Sequence, residues 1–460
     1  MSCTRPIRIF SRLSFIIHHS SFIVVLALIV SASNSASASD PSLTLDQAIR
    51  RGLEGHPLIR IFQHEVLETE AATRQIEAAN YPRLTGVYAN SGGNTRVLAN
   101  LGISGSLPKP VNYLTTPGVR VDYLITDFGH TAHKILANKA LAASAEKNVL
   151  TTKAIVILSV EQAYLNCLKQ QQLLTVAQQV FKERDLIRVQ TELFRRNNLR
   201  SKLDLDFAAI EANRAELAVI TAQNDLKTAF ATLSHAMGLR LPERFALEDV
   251  PFHLTPARPI DPLVQEALSK RPELLGSHDR IRATDEALKA ARALNFGTVT
   301  AIGTAGYTWW SREERPSGKE VSNPGAQLGF WGAAGTSSIP LYAGGRIQGQ
   351  IEEAEARKDE VHADTRAIAN DVVLEVARAY FSRLTAEQHI KVAEEKVAHA
   401  REAFALARER YKAGLGSILD VTTATADLLS AEVGVAEARY DYRASDAALA
   451  YATGAEYSRY

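Results

Sequence analysis

The chain has 460 residues, of which 52 are Lys or Arg and 51 are Asp or Glu, for a formal charge of +1. That balance, with no basic patch, excludes a nucleic-acid surface as the organising feature. A hydrophobic content of 46% excludes a disordered chain.

Arg5, Arg8 and Arg12 precede an apolar run from Phe22 to Val30, and Ala36-Ser37-Ala38 gives a small-residue cleavage pattern. Residues 1–38 therefore read as a secretory signal peptide. The apolar run is too short to span a bilayer. Cleavage would remove Cys3 and leave Cys167 as the lone thiol, so no internal disulfide is expected. The mature chain would start near Ser39 with no cysteine to carry an N-terminal lipid. Its formal charge, without the three leader arginines, would be −2.

Residues 45–81 read as two helices separated at Pro57, a residue suited to a helix's first turn. Residues 83–127 are rich in Gly, Thr, Ser, Asn and Tyr and read as a β-hairpin. Val119, Val121 and Tyr123 alternate there with Arg120 and Asp122, and Gly92–Pro110 reads as the connecting loop. From 130 to 238 there is no proline, and Ala, Leu, Glu, Lys, Gln and Arg dominate, which predicts a long helical hairpin. Its first helix, 130–196, would be roughly 100 Å long. The return helix and the 57–81 helix, stacked end to end, nearly match that length and are expected to flank it.

Residues 241–260 read as a Pro-rich linker, after which the pattern repeats. Asp261, Leu268 and Pro272 match Asp46, Leu53 and Pro57 at an offset of 215. Helices are expected over 261–296, a β-hairpin over 298–342 and a second long helical hairpin over 346–454, with a short tail at 455–460. The two long hairpins align without a gap at an offset of 216 (346 − 130). Val156, Ala163, Tyr164, Ser201, Asp204 and Gly238 fall on Val372, Ala379, Tyr380, Ser417, Asp420 and Gly454. Such agreement at one offset marks a tandem duplication. Ile347, Ile351, Ala354, Val361, Ile368 and Val372 keep a heptad spacing, which predicts a packed seam. In the second β-hairpin, Val299, Ala301, Ala305, Tyr307 and Trp309 alternate with Thr298, Thr300, Thr304 and Thr308, with Ile302 as the exception. Ser311–Gly325 reads as its polar loop.

About ten residues of apolar-out, polar-in alternation is what a transmembrane β-strand requires. The aromatic residues suit a soluble core or an interfacial belt equally. Four membrane strands per chain would leave two open edges, which lipid does not tolerate. Several chains would then have to close one barrel. Two would give eight strands filled by side chains; three would give twelve and a pore.

At this level the chain resembles the TolC family of outer-membrane efflux and secretion channels. The similar parts are Leu43-Thr44-Leu45-Asp46-Gln47-Ala48, Pro57, Asp127-Phe128-Gly129-His130, Leu341-Tyr342-Ala343-Gly344-Gly345-Arg346 and the stretch Arg410–Asp420. The resemblance implies a mainly α fold with a small β part. Tandem-duplicated long helical hairpins would form an α-helical barrel, and four transmembrane strands per chain would enter a shared trimeric 12-stranded β-barrel. A mixed belt would surround the tunnel at mid-height. It implies a homotrimer in the cell outer membrane, contacting its lipid and extending into the periplasm. The trimer would work with a periplasmic adaptor (membrane fusion) protein and an inner-membrane pump of RND, ABC or MFS type. The expected function is the passive channel of a tripartite efflux pump or type I secretion system, exporting small molecules, metals or proteins. A periplasmic coiled-coil structural or adaptor protein without a membrane barrel is the alternative.

Both helical turns fit the capping pattern S-x-x-D, at Ser201–Asp204 and Ser417–Asp420. Asn198 and Gly414 occupy equivalent places suited to a left-handed backbone. The resemblance implies that these turns are adaptor-docking tips, carried by Asn198, Leu199, Ala413, Gly414 and Leu415. It also makes Asp204, Tyr411 and Asp420 periplasmic gate candidates. Gly416 and Thr423 depart from the family's gate pattern, where an arginine and a further acid can stand. No triad, phosphate loop or metal cluster is legible, so neither catalysis nor a cofactor is expected. His130 and His133 read as surface histidines at a helix start.

Overall fold

A computed structural model describes residues 42–91, 113–249, 251–314 and 321–455. The leader and the 92–110 loop lie outside the described residues.

The first repeat begins with β1 (Ser42–Leu43), α1 (Leu45–Gly55), α2 (Pro57–Glu77), β2 (Arg83–Ser91) and β3 (Tyr113–Thr126). It continues with α3 (His130–Arg196) and α4 (Lys202–Ala236). A short strand β4 (Ala246–Leu247) follows. The second repeat has α5 (Ile260–Lys270), α6 (Pro272–Ala293), β5 (Thr298–Glu314), β6 (Val321–Ser338), α7 (Arg346–Lys412) and α8 (Ile418–Thr453). The two long helices α3 and α7 have 67 residues each. Pro57 and Pro272 stand in the first turns of α2 and α6, where the absent N–H costs nothing.

Each long helix is flanked by two shorter ones in line: α2 and α4 along α3, α6 and α8 along α7. The expected seam holds, with Ile347 and Val372 buried and Ile351, Ala354, Val361 and Ile368 half-buried between exposed charges. Ion pairs stitch the flanks: Lys139–Glu77 at 2.8 Å between α3 and α2, and Arg280–Asp364 and Lys358–Asp285 at 2.9 Å between α6 and α7. Their side chains are largely solvent-facing, so each adds at most about 1 kcal/mol. Apolar burial carries the packing. The repeats meet where α6 and α8 lie on α3, with His130 Nδ1 2.7 Å from Ala290 O and His133 Nδ1 2.7 Å from Glu286 Oε2.

The densest core lies part-way along the helices. Leu43, Ile49, Val160, Tyr164, Leu233, Met237 and Phe245 come together there from both ends of the first repeat. β1 pairs with β4 in parallel. Tyr164 Oη lies 2.8 Å from Leu43 O and 2.6 Å from Glu248 O, and burial pushes its pKa to about 12. Residues 241–260 thus do more than link. Phe245 plugs this core, while Phe252 packs edge-on against Tyr442 of α8 at 5.8 Å. The two aromatics staple one repeat to the other.

The four longer strands form one antiparallel sheet in the order β2-β3-β5-β6. Ladder rows run Leu84–Val121–Gly303, Val119–Ala305–Trp331 and Thr85–Arg120–Thr304–Gly332. One face therefore carries Leu84, Val119, Val121, Ala305, Tyr307 and Trp331, and the other carries Thr85, Arg120, Asp122, Thr300 and Thr304 interleaved with the apolar Val87, Leu124, Ile302, Leu328 and Phe330. Trp331 is 86% exposed on the apolar face. The expected Ser311–Gly325 loop is corrected: β5 runs on to Glu314 and β6 begins at Val321, with a bulge where Pro324 falls. Pro324 is tolerated because β6 is an edge strand, and a bulge on an edge needs no donated hydrogen bond there.

Candidate functional site at the paired helical turns

Both long helices end in the same way. Leu199 N–H donates to Phe194 O at 2.8 Å and Leu415 N–H to Arg410 O at 2.9 Å, six-to-one bonds that close each last turn. That closure needs a left-handed residue, supplied by Asn198 (φ 58°) and Gly414 (φ 76°). Asn tolerates this backbone through its short polar side chain, and Gly through its lack of Cβ. Ala413, just before Gly414, is exposed at the end of α7.

The return helices start on capping boxes. Asp204 Oδ2 accepts from Ser201 N–H at 3.1 Å, and Asp204 N–H donates to Ser201 Oγ at 3.1 Å. Asp420 Oδ2 accepts from Ser417 N–H at 2.9 Å, while Ser417 Oγ accepts from Leu419 N–H at 3.1 Å. Each aspartate is thus engaged at its own helix start, where the positive end of the helix favours it. Asp420 is exposed and Asp204 half-buried.

The turns need no leucine for these bonds, yet Leu199 is 68% and Leu415 74% exposed. Leu203 and Leu419, one helical turn further on, are exposed as well. The sequence reading missed this second pair. Their shared offset of 216 was the available signal.

Tyr411 is the gate candidate that reaches the other turn. Its ring lies under the Arg200 guanidinium, 4.4 Å from carbon to centroid. Such a contact is worth about 0.5–2 kcal/mol. Arg200 had no motif to flag it. Beside this pair, a cavity of about 640 Å³ opens between the hairpins, lined by Leu186, Ile187, Phe194, Phe404 and Ile418. Tyr411 Oη is buried there with no hydrogen-bond partner among the described residues. His130 and His133, at the far end of α3, hold α6 as described above. Among the described residues, no three His, Cys, Asp or Glu side chains gather as a metal site.

The profile of the family described as "Outer membrane efflux protein" matches residues 48–239 and 263–455, which span both repeats. The chain belongs to the outer membrane efflux protein family. It is 22% identical over 447 residues to the outer membrane efflux protein BepC of Brucella suis, covering 94% of this chain and 90% of the relative. It is 24% identical over 226 residues to the outer membrane protein TolC of Escherichia coli, covering 48% of this chain and 46% of the relative. The solved outer-membrane channel OprN superposes with a TM-score of 0.75 at 21% identity over 89% of each chain. The open-state MtrE channel of Neisseria gonorrhoeae gives 0.70 at 19% identity, over 89% of this chain and 88% of that one.

As a family member the protein is an outer-membrane efflux channel component, a transport protein and not an enzyme. The alternative of a coiled-coil protein without a membrane part is thereby set aside. Efflux channels of this family form trimers that act in tripartite pumps.

Proposed function

We propose that three copies, exported under the 1–38 leader, close their twelve strands into one outer-membrane barrel. Twelve helical strands would continue it as a passive tunnel across the periplasm. The observation that carries this reading is the sheet: one largely apolar face, one face that holds Arg120, Asp122 and the threonines, and outer edges on β2 and β6 with no partner among the described residues. In lipid each unpaired backbone group costs several kcal/mol, so these edges must pair with other copies. The apolar face then meets lipid and the polar face lines the lumen.

In this reading the helical turns are the periplasmic tips. Leu199, Leu203, Leu415 and Leu419, with Asn198, Ala413 and Gly414, present an apolar rim to a periplasmic adaptor. The adaptor joins the tunnel to an inner-membrane pump of RND, ABC or MFS type, or to a type I secretion exporter. Tyr411 and Arg200 tie the two turns together beside the narrow end, with Asp204 and Asp420 as its acidic candidates. Energy for export comes from the pump.

The test is the protein mass in mild detergent with the detergent subtracted. Three chains per particle are expected. A stable, folded monomer would overturn the closed conduit.

A further inference from the structure

We infer that the lumen wall carries a basic collar, Arg83 and Arg120 around Asp122, that favours anionic over cationic solutes where the barrel meets the helices. The inference rests on the closed-barrel reading and adds a charge preference to it.

All three residues lie on the polar face. Asp122 stands opposite Arg83 in the β2–β3 ladder and two residues from Arg120 on the same strand. Arg120 Nε lies 2.9 and 3.1 Å from the two carboxylate oxygens, and Arg120 NH2 lies 2.8 Å from Oδ1. Arg83 NH2 approaches Oδ2 at 3.8 Å. Two guanidiniums share one carboxylate, leaving one positive charge per chain. The side chains of Arg83 and Arg120 are 77% and 47% exposed and that of Asp122 22%, so the cations face the open side.

Within the described strands nothing beside these three residues cancels the excess. The ladder neighbours in these rows are Thr85, Thr304, Gly332, Ile302 and Ala334, all neutral. No other charged residue occurs in 84–90, 115–126, 298–309 or 328–338. Arg83 opens β2 and Asp122 is close to the end of β3, so the collar sits at the helix end of the sheet.

Twelve strands about 4.8 Å apart and tilted about 40° close on a backbone radius of about 12 Å. An arginine reaching inward then leaves the axis within one Debye length at about 0.1 M salt, near 10 Å. Three such charges therefore bias every ion that passes, and more strongly as salt is lowered.

The experiment is reversal-potential measurement across planar bilayers holding the purified trimer, in KCl gradients between about 0.01 and 0.1 M, where the Debye length is about 30 to 10 Å. The double variant Arg83→Gln/Arg120→Gln should lower the chloride-to-potassium permeability ratio by roughly twofold or more. Asp122→Asn should raise it. Arg120→Lys keeps the charge while losing the bidentate bond, and should keep the ratio. A conducting double variant with the wild-type ratio, or an Asp122→Asn ratio that moves the same way as the double variant, overturns the collar. A folded wild-type protein that stays a single chain in mild detergent overturns the pore reading itself, and the collar with it.

Discussion

His56 caps α2 in an unusual way: Leu58 N–H donates to its Nδ1 at 3.2 Å. The cap requires an unprotonated Nδ1. Burial first, and the neighbouring His235 second, hold the His56 pKa below its ordinary value of 6.5. The folded state thus binds a proton less readily than the unfolded chain, and stability falls as pH drops from about 6.5 through the folded pKa. Asn caps without titrating. His56→Asn should therefore shrink the loss of Tm between about pH 7.5 and pH 5.5. An unchanged pH dependence would remove His56 from the account. A second residue-scale contrast lies at Arg383, which is 4% exposed and binds Asp446 at 2.6 Å, Tyr442 Oη at 2.8 Å and Thr255 O at 2.6 Å. At the offset of 216, Arg383 falls on Cys167 and Asp446 on Phe230, an apolar pair in the first repeat. Burial pushes the Cys167 thiol up to about 12, so it is inert. The second repeat spends an ion pair where the first packs carbon, and the Arg383 guanidinium anchors the 241–260 segment. Arg383→Met should cost about 1–3 kcal/mol, by leaving the Thr255 carbonyl without its donor and Asp446 without its ion-pair partner. Thermal unfolding of the variant beside wild type checks this.

The elements themselves were largely legible in the sequence, and the turns explain why. A long Pro-free helix former, a left-handed residue and an S-x-x-D box are local signals, and each element obeys them. The bounds of α3 and the equivalence of Asn198 with Gly414 followed directly. Individual side-chain contacts between distant segments were not legible. Arg200 on Tyr411 and Phe252 on Tyr442 join residues with no shared motif, and only packing brings them together. The extension of β5 and β6 beyond the expected loop was hidden because Gly and Pro tolerate an edge strand. The exposed leucines make the tips testable. Leu415→Ser should leave trimer assembly and Tm nearly unchanged, because the side chain supports no bond of the turn, while weakening adaptor capture and export. Gly414→Pro should do more, since it removes the N–H that donates to Tyr411 O at 3.1 Å and forbids φ 76°. Pull-down with the cognate adaptor, beside thermal unfolding, separates the two. Undiminished capture by a folded Leu415→Ser trimer would end the docking role.

At the scale of the whole molecule, one architecture must satisfy two solvents. The helices pack with charged flanks and half-buried seams, as water allows, whereas the sheet, in the proposed barrel, divides its residues between lipid and lumen. Register links these demands, because a one-residue slip would put Arg120 into lipid and Val119 into water. The ladder places Val119 beside Ala305 and Arg120 beside Thr304, so the facing of β5 follows from that of β3. Lysine at Ala305 would then enter the hydrocarbon near the midplane and should cost about 2–4 kcal/mol, whereas at Val299, close to the helix end of the sheet, it should cost about 0–1 kcal/mol. At Thr300 or Thr304 it would project into the lumen and stay hydrated, so folding and assembly should be almost unaffected. The proposed closed barrel would multiply the difference, because three copies would carry each substitution at one height. The measurement is the heat resistance of the detergent-extracted trimer, compared across the four lysine variants. Stable trimers at Thr300 and Thr304, with loss at Ala305 and a smaller effect at Val299, are the expected pattern. Equal damage on both faces would overturn the register of β5 against β3, and with it the assignment of the Arg120 face to the lumen.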